Sequence, residues 1–227
     1  MQATERFYLR DIAAHLQGDY TGPQNLTCTH LSAPHDITEN ALVLCFERRY
    51  VSLSEVSHIA GCITTAALSA LMPAGLPKII VQHPNKAMTA VLKYFERPKT
   101  APRGTFNATA SIAPNSDIHP SVHIGAHCVI GDGCVIGANV QLHSGSVLER
   151  DVHVGENTII HSRAVIMTRT RIGKHVRIGP GAVVGSIGFS LDEHRLRPHL
   201  GGVHVGDYCS LGSNTCIDRG TIGMTRI

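Results

Sequence analysis

A parallel β-helix preceded by a small α/β domain is the mainly β fold that this sequence predicts. Three observations predict it. An aliphatic residue recurs every six positions from Ile112 to Val184. A small or β-branched residue recurs four places after each of them. The first hundred residues lack that period and alternate short apolar runs with helical spacing. Of the 227 residues, 43% are hydrophobic but only 4% are aromatic, so the core is expected to be built from aliphatic layers.

In chain order, Phe7 to Leu16 has helical spacing, Ala41–Phe46 (ALVLCF) reads as a short buried strand, Ile79–Gln82 as another, and Lys86–Phe95 as a helix. Strands alternating with helices define an α/β domain over residues 1–97. Residues 98–111, holding Pro98, Pro102 and Gly104, read as a linker. The β-helix is assigned to 112–227.

The repeat runs Ile112, Ile118, Ile124, Ile130, Ile136, Leu142, Leu148, Val154, Ile160, Ile166, Ile172, Ile178 and Val184. A period of six fits neither an α-helix nor a hairpin strand. It fits a coil in which each hexad is one short strand plus a turn and three hexads close a triangle. The aliphatic side chain is then expected to point inward and stack on its counterpart eighteen residues later. Strands of successive coils would hydrogen-bond about 4.8 Å apart. The small residues, Cys128 and Cys134 among them, also face inward, so both cysteines read as packing residues. Gly follows the aliphatic residue in seven of the thirteen hexads, where the turn is expected to need positive φ.

The phase breaks after Val184. Residues 186–202 (SIGFSLDEHRLRPHLGG) read as a loop ejected from a coil, and the repeat resumes at Val205, Leu211 and Ile217. Insertions in solenoids usually lie on the functional face. The chain stops at Ile227 inside a coil without a polar cap, so the sequence reads as a fragment truncated at its C-terminus.

Net charge is +3 and evenly spread, with 10 basic and 8 acidic groups in 1–105 and 10 and 9 in 106–227. Neither half is a nucleic-acid footprint. No stretch approaches the roughly 18–20 apolar residues of a membrane helix. Seven cysteines without a C-x-x-C pair point to reduced thiols rather than a disulfide framework.

Gly201–Ile222 (GGVHVGDYCSLGSNTCIDRGTI), with Asp218-Arg219-Gly220 after an inward Ile, resembles the signature of the UDP-3-O-acylglucosamine N-acyltransferases of lipid A biosynthesis. Val184–Phe189 (VGSIGF) and Pro198-His199-Leu200-Gly201 resemble that family's insertion, and ALVLCFERRY its uridine-binding domain. The resemblance implies a left-handed coil of hexapeptide repeats, a homotrimer with sites in the clefts between β-helices, and a cytoplasmic location. It also implies N-acylation of a UDP-3-O-acyl-glucosamine by the 3-hydroxyacyl thioester of acyl carrier protein, with no metal or redox cofactor. A His would serve as general base, taking a proton from the attacking amine.

In the family that base lies in an Asp-Asn…Ile-Ala-His-Asn stretch after the Asp-Arg-Gly run. No residue of 1–227 is assigned as catalytic, and this chain by itself is expected to be inactive. Where the family stacks uridine between Phe and Tyr, with an Asn three residues after the Phe, this chain has Leu44, Glu47 and Tyr50. Losing one aromatic face costs about 1 kcal/mol. Ile187 stands where the family has Asp. Asp218 and Arg219 are candidate substrate contacts, with Arg219 open to two readings, an acidic ligand or Asp218 itself. Two alternatives accompany this function: another sugar-nucleotide acyltransferase of the same fold, or a non-catalytic trimeric scaffold. His143 and His161, eighteen apart, should stack on neighbouring coils. His194 and His199 are the one pair on the inserted loop that a zinc reading would use, and they lack a third ligand.

Overall fold

The computed structural model describes residues 5–55, 58–96, 104–189, 191–192 and 194–227. The protein divides into two compact units, Met1–Pro98 and Lys99–Ile227.

The first unit is built on a five-stranded sheet in the order Asp19–Thr21, Lys78–Ile80, Gly61–Thr64, Ala41–Leu44, His30–Ser32. The last four run parallel and Asp19–Thr21 is antiparallel to Lys78–Ile80. Side chains alternate across the sheet. Leu42, Ile63 and Ile79 pack with Leu9, Ile12 and Val91 of the helices Leu9–Leu16 and Pro84–Phe95. Val43, Cys45 and Cys62 pack with Met72 in a separate cluster. Phe7–Tyr8, expected to be helical, instead forms a strand paired with Thr27–Cys28. The tertiary contact decides this: the Phe7 ring lies 4.6 Å from that of Phe95. The helix of Pro84–Phe95 starts two residues earlier than its apolar spacing suggested, with Pro84 in the first turn, where the missing N–H costs nothing.

In the second unit the stacking interval is eighteen residues. Ile112 pairs with Ile130, Ile130 with Leu148, Leu148 with Ile166, and Ile166 with Val184. Two further parallel sheets repeat this register, from Ile118 to Ile172 and from Ile124 to Ile178, and then pair across the inserted loop with Val205 and Leu211. The inward aliphatic and small residues make one continuous core, in which Cys128 and Cys134 are fully buried. The coil begins before Ile112. Phe106 bridges to Ile124, and the Asn107 N–H donates to the Ile124 carbonyl at 2.9 Å. The second half of the 98–111 linker is therefore the first rung.

The expected role of the glycines needs correction. Except at Gly185, positive φ falls not on the residue after the aliphatic one but two places further on, at His127, Gly133, Asn139, Gly145, Asp151, Asn157 and Arg163. The N–H of that residue donates to the coil below, as Asn157 does to the Ala138 carbonyl at 2.8 Å. The glycine after the aliphatic residue is there for close approach: a Cβ on Gly155 would lie 2.6 Å from the carbonyl carbon and oxygen of Gly173.

The strand Val183–Ile187 runs on past the expected start of the loop, with an irregularity between Val184 and Ser186. The loop then folds a small antiparallel pair, Leu191–Asp192 with Arg195–Leu196, and rejoins the coil at Gly202–Val205, in register with Thr170–Ile172.

Replacing Gly155 with Ala should cost about 1–3 kcal/mol through overpacking. Gly212→Ala, at the same place in its hexad but meeting only Thr215 Oγ1 at 3.6 Å, should stay within about 0.5 kcal/mol of wild type. Denaturant melts of the two variants check this.

Candidate functional site

One corner of the coil gathers polar side chains where the loop leaves. Strand Val183–Ile187 pairs with Cys216–Arg219, setting Ser186 opposite Asp218 and Ile187 opposite Arg219. The irregularity leaves Gly185 at φ +99, above the buried Thr170 hydroxyl, which has no partner among the described residues. A Cβ on Gly185 would lie 2.7 Å from that hydroxyl. The Ser186 hydroxyl donates to Asp218 Oδ1. Arg219 Nε donates to the Gly185 carbonyl at 2.6 Å, so its guanidinium is anchored to the backbone.

The loop's return is tied to the same corner. The Leu200 N–H donates to the Thr221 carbonyl at 2.8 Å, and Arg169 Nη1 to the Leu200 carbonyl at 2.7 Å. His199, half-buried, donates from Nδ1 to the Arg197 carbonyl at 2.9 Å and turns Nε2 toward Gly188. Asp218 Oδ2 faces that same glycine. Asp218 and Arg219 were legible as a motif. Ser186 joins them through strand pairing and His199 through the loop's path, for which the Pro198-His199 pair was the sequence signal.

Behind the corner, Glu149 accepts hydrogen bonds from the Thr168 N–H at 2.9 Å and the Thr168 hydroxyl at 2.8 Å. Burial pushes its pKa up, but those two donors and the charges of Arg219 and Arg150 outweigh burial and hold it below 4.5. On another corner the His143 and His161 rings meet edge to face on neighbouring coils, with centroids 4.8 Å apart. Burial, then the charge of Arg177, lowers the His161 pKa from 6.5, which keeps that imidazole neutral at neutral pH.

In the first unit, Glu47 pairs with Arg49 at 2.9 Å, and the Arg49 guanidinium lies 4.7 Å from the centroid of the Tyr50 ring. Tyr50 packs on the Val43–Cys45–Cys62 cluster, whereas Leu44 packs on the opposite, helix-covered core. The structure thus joins Glu47 and Tyr50 through Arg49, a residue that sequence reasoning did not single out, and sets Leu44 apart from them.

All seven cysteines are free. Burial pushes the Cys28 and Cys62 thiols up to about 12, which makes them packing groups rather than nucleophiles. Among the described residues no cluster of three or more His, Cys, Asp or Glu is placed to hold a metal ion. No helix among them is long and apolar enough to cross a membrane.

Fold and corner together define a hexapeptide-repeat β-helix protein with a loop-bordered polar site. The family model described as the GMPPB C-terminal domain matches residues 106–187. A UDP-3-O-acylglucosamine N-acyltransferase of Coxiella burnetii is 32% identical over 185 residues, covering 79% of this chain and 52% of that protein. One from Acinetobacter baylyi is 30% identical over 225 residues, covering 97% of this chain and 63% of that protein. Over the residues matched, the chain is similar to the UDP-3-O-acylglucosamine N-acyltransferases. It spans about half to two thirds of the length of these two relatives. A solved Arabidopsis UDP-N-acetylglucosamine acyltransferase is 21% identical, with a TM-score of 0.41 over 54% of this chain and 49% of that one.

Because the folded-state pKa of Glu149 is depressed, its contribution to stability is present above the ordinary value of 4.5 and is lost as pH falls through the folded value. The stability difference between wild type and Glu149→Gln should be largest near pH 7 and should shrink toward about pH 3. Urea melts across that range measure it.

Proposed function

We propose that the protein to which this chain belongs is an N-acyltransferase that moves a 3-hydroxyacyl chain from acyl carrier protein to the amino group of a UDP-3-O-acyl-glucosamine in the cytoplasm. The observation that carries this reading is the match to UDP-3-O-acylglucosamine N-acyltransferases over 97% of the chain, spanning both units. The Asp218–Ser186–His199 corner supports it, since polar groups gathered at a loop suit a polar acceptor. The reaction needs no metal or redox cofactor, because the thioester already carries the activated acyl group.

In the first unit, Tyr50 with the Arg49 guanidinium offers a ring and a cation to a nucleoside diphosphate. Glu47 holds that guanidinium in place. The position of Leu44 on the opposite core favours a second reading, another sugar-nucleotide acyltransferase whose base is not stacked on both faces.

Self-association is supported by the outward side chains of one β-helix face. Val129, Val147, Val165 and Val183 follow one another along it. The corresponding rows of the other faces read Asp117, Val135, His153, Arg171 and His123, Gln141, Ile159, Arg177. An apolar strip on one face only fits a homotrimer that covers it.

Incubating the full gene product with acyl-acyl carrier protein and the UDP-amino sugar should yield the amide, detected by mass spectrometry. No amide would leave the scaffold reading in its place. Tyr50→Ala should weaken UDP binding several-fold to about tenfold, and a thermal shift indifferent to uridine nucleotides would favour the second acyltransferase reading. Light scattering should report three chains for wild type and one for Val147→Asp.

A further inference from the structure

The geometry points to a recess above Gly188 that binds a primary amine, held between Asp218 Oδ2 and His199 Nε2. The inference rests on the amino-sugar reading for the identity of its ligand, and it assigns two atoms of that corner a role that the reading does not.

A Cβ placed on Gly188 would lie 3.3 Å from His199 Nε2 and 3.4 Å from Asp218 Oδ2. Two groups on segments far apart in sequence, one on the returning loop and one on strand Cys216–Arg219, therefore face the same small space, which exists because residue 188 has no side chain. Both are acceptors there. His199 gives its Nδ1 proton to the Arg197 carbonyl, which leaves Nε2 of the neutral ring with a lone pair and no hydrogen. Asp218 takes the Ser186 proton on Oδ1, leaving the lone pairs of Oδ2 for another donor. Arg219 donates through Nε to the Gly185 carbonyl and, among the described residues, makes no hydrogen bond or ion pair with Asp218.

Two converging acceptors, one of them charged, call for a compact donor with at least two hydrogens and positive charge. A hydroxyl offers one hydrogen and satisfies one partner. An ammonium offers three, and its hydrogen bond to a carboxylate is charge-assisted. N-acetylation removes both the charge and all but one hydrogen, so the recess discriminates a free amino sugar from its amide. Ile187 and Phe189 on either side of Gly188, and Leu200 after His199, are each more than half exposed. Apolar side chains beside an amine recess suit an acceptor that carries an acyl group next to its amino group.

The test is an NMR titration of the His199 ring nitrogens in the full-length protein with glucosamine and, separately, with N-acetylglucosamine. Glucosamine should shift the Nε2 signal saturably, N-acetylglucosamine should not, and Asp218→Asn should weaken the response by about tenfold or more. Unchanged signals from His143 and His161 verify that the variant is folded. The wild-type comparison of the two sugars decides the matter even if the variant does not fold. An Nε2 signal that ignores glucosamine, answers both sugars equally, or responds unchanged in folded Asp218→Asn overturns the recess. Discrimination at His199 without amide formation by the full gene product would keep the recess and remove the acyl-transfer reading. Amide formation with an indifferent His199 would do the reverse.

Discussion

Everything in the second unit depends on one coil lying on the next with an eighteen-residue offset. Each rung contributes only a two-residue strand in most places, far too short to persist alone. It persists because its N–H and C=O groups meet the rungs above and below while its aliphatic side chain stacks on an aliphatic side chain. Stability is therefore shared between neighbours, and no coil can be assigned its own. The same constraint sets how tightly successive backbones approach, which is why the residue after the inward aliphatic one is so often glycine.

The turns show what that close stacking demands. The left-handed residue of each hexad lets its N–H reach the coil below, and Asn, Asp or Gly often occupies the place, since these tolerate that conformation best. Arg163, Arg169 and His175 adopt it as well, at a local cost that the surrounding hydrogen bonds offset. Turn side chains also meet from coil to coil. Asn139 donates to Asn157 at 3.2 Å, and His175 lies parallel to Tyr208 at 4.9 Å.

The polar corner is the place where this regularity is interrupted. Leaving the coil after Val184 breaks the register, puts Gly185 at positive φ and leaves the Thr170 hydroxyl buried without a partner among the described residues. Such departures cost free energy and concentrate where a fold carries function. The anchoring of Arg219 to Gly185, the Ser186–Asp218 hydrogen bond and the return of the loop through Leu200 brace the interruption from several sides. Glu149, held ionised by Thr168, adds a negative charge that Arg219 answers.

By itself the sequence determined which side chains of 112–227 face inward, the interval at which they stack, that a loop interrupts the coil after Val184, and the α/β character of the first unit. All of these follow from local periodicity, which side-chain direction translates directly into structure. Tertiary structure decided what depends on partners distant in sequence. Phe7 became a strand residue because Cys28 and Phe95 are its neighbours, and positive φ moved along the hexad because the coil below dictates where an N–H must point. Leu44 and Tyr50 were close in sequence, yet strand parity and the turn after Leu44 set them on different cores. His199 reached the space beside Asp218 through a loop path that no repeat encodes, since an irregular segment takes its course from the contacts that hold its ends.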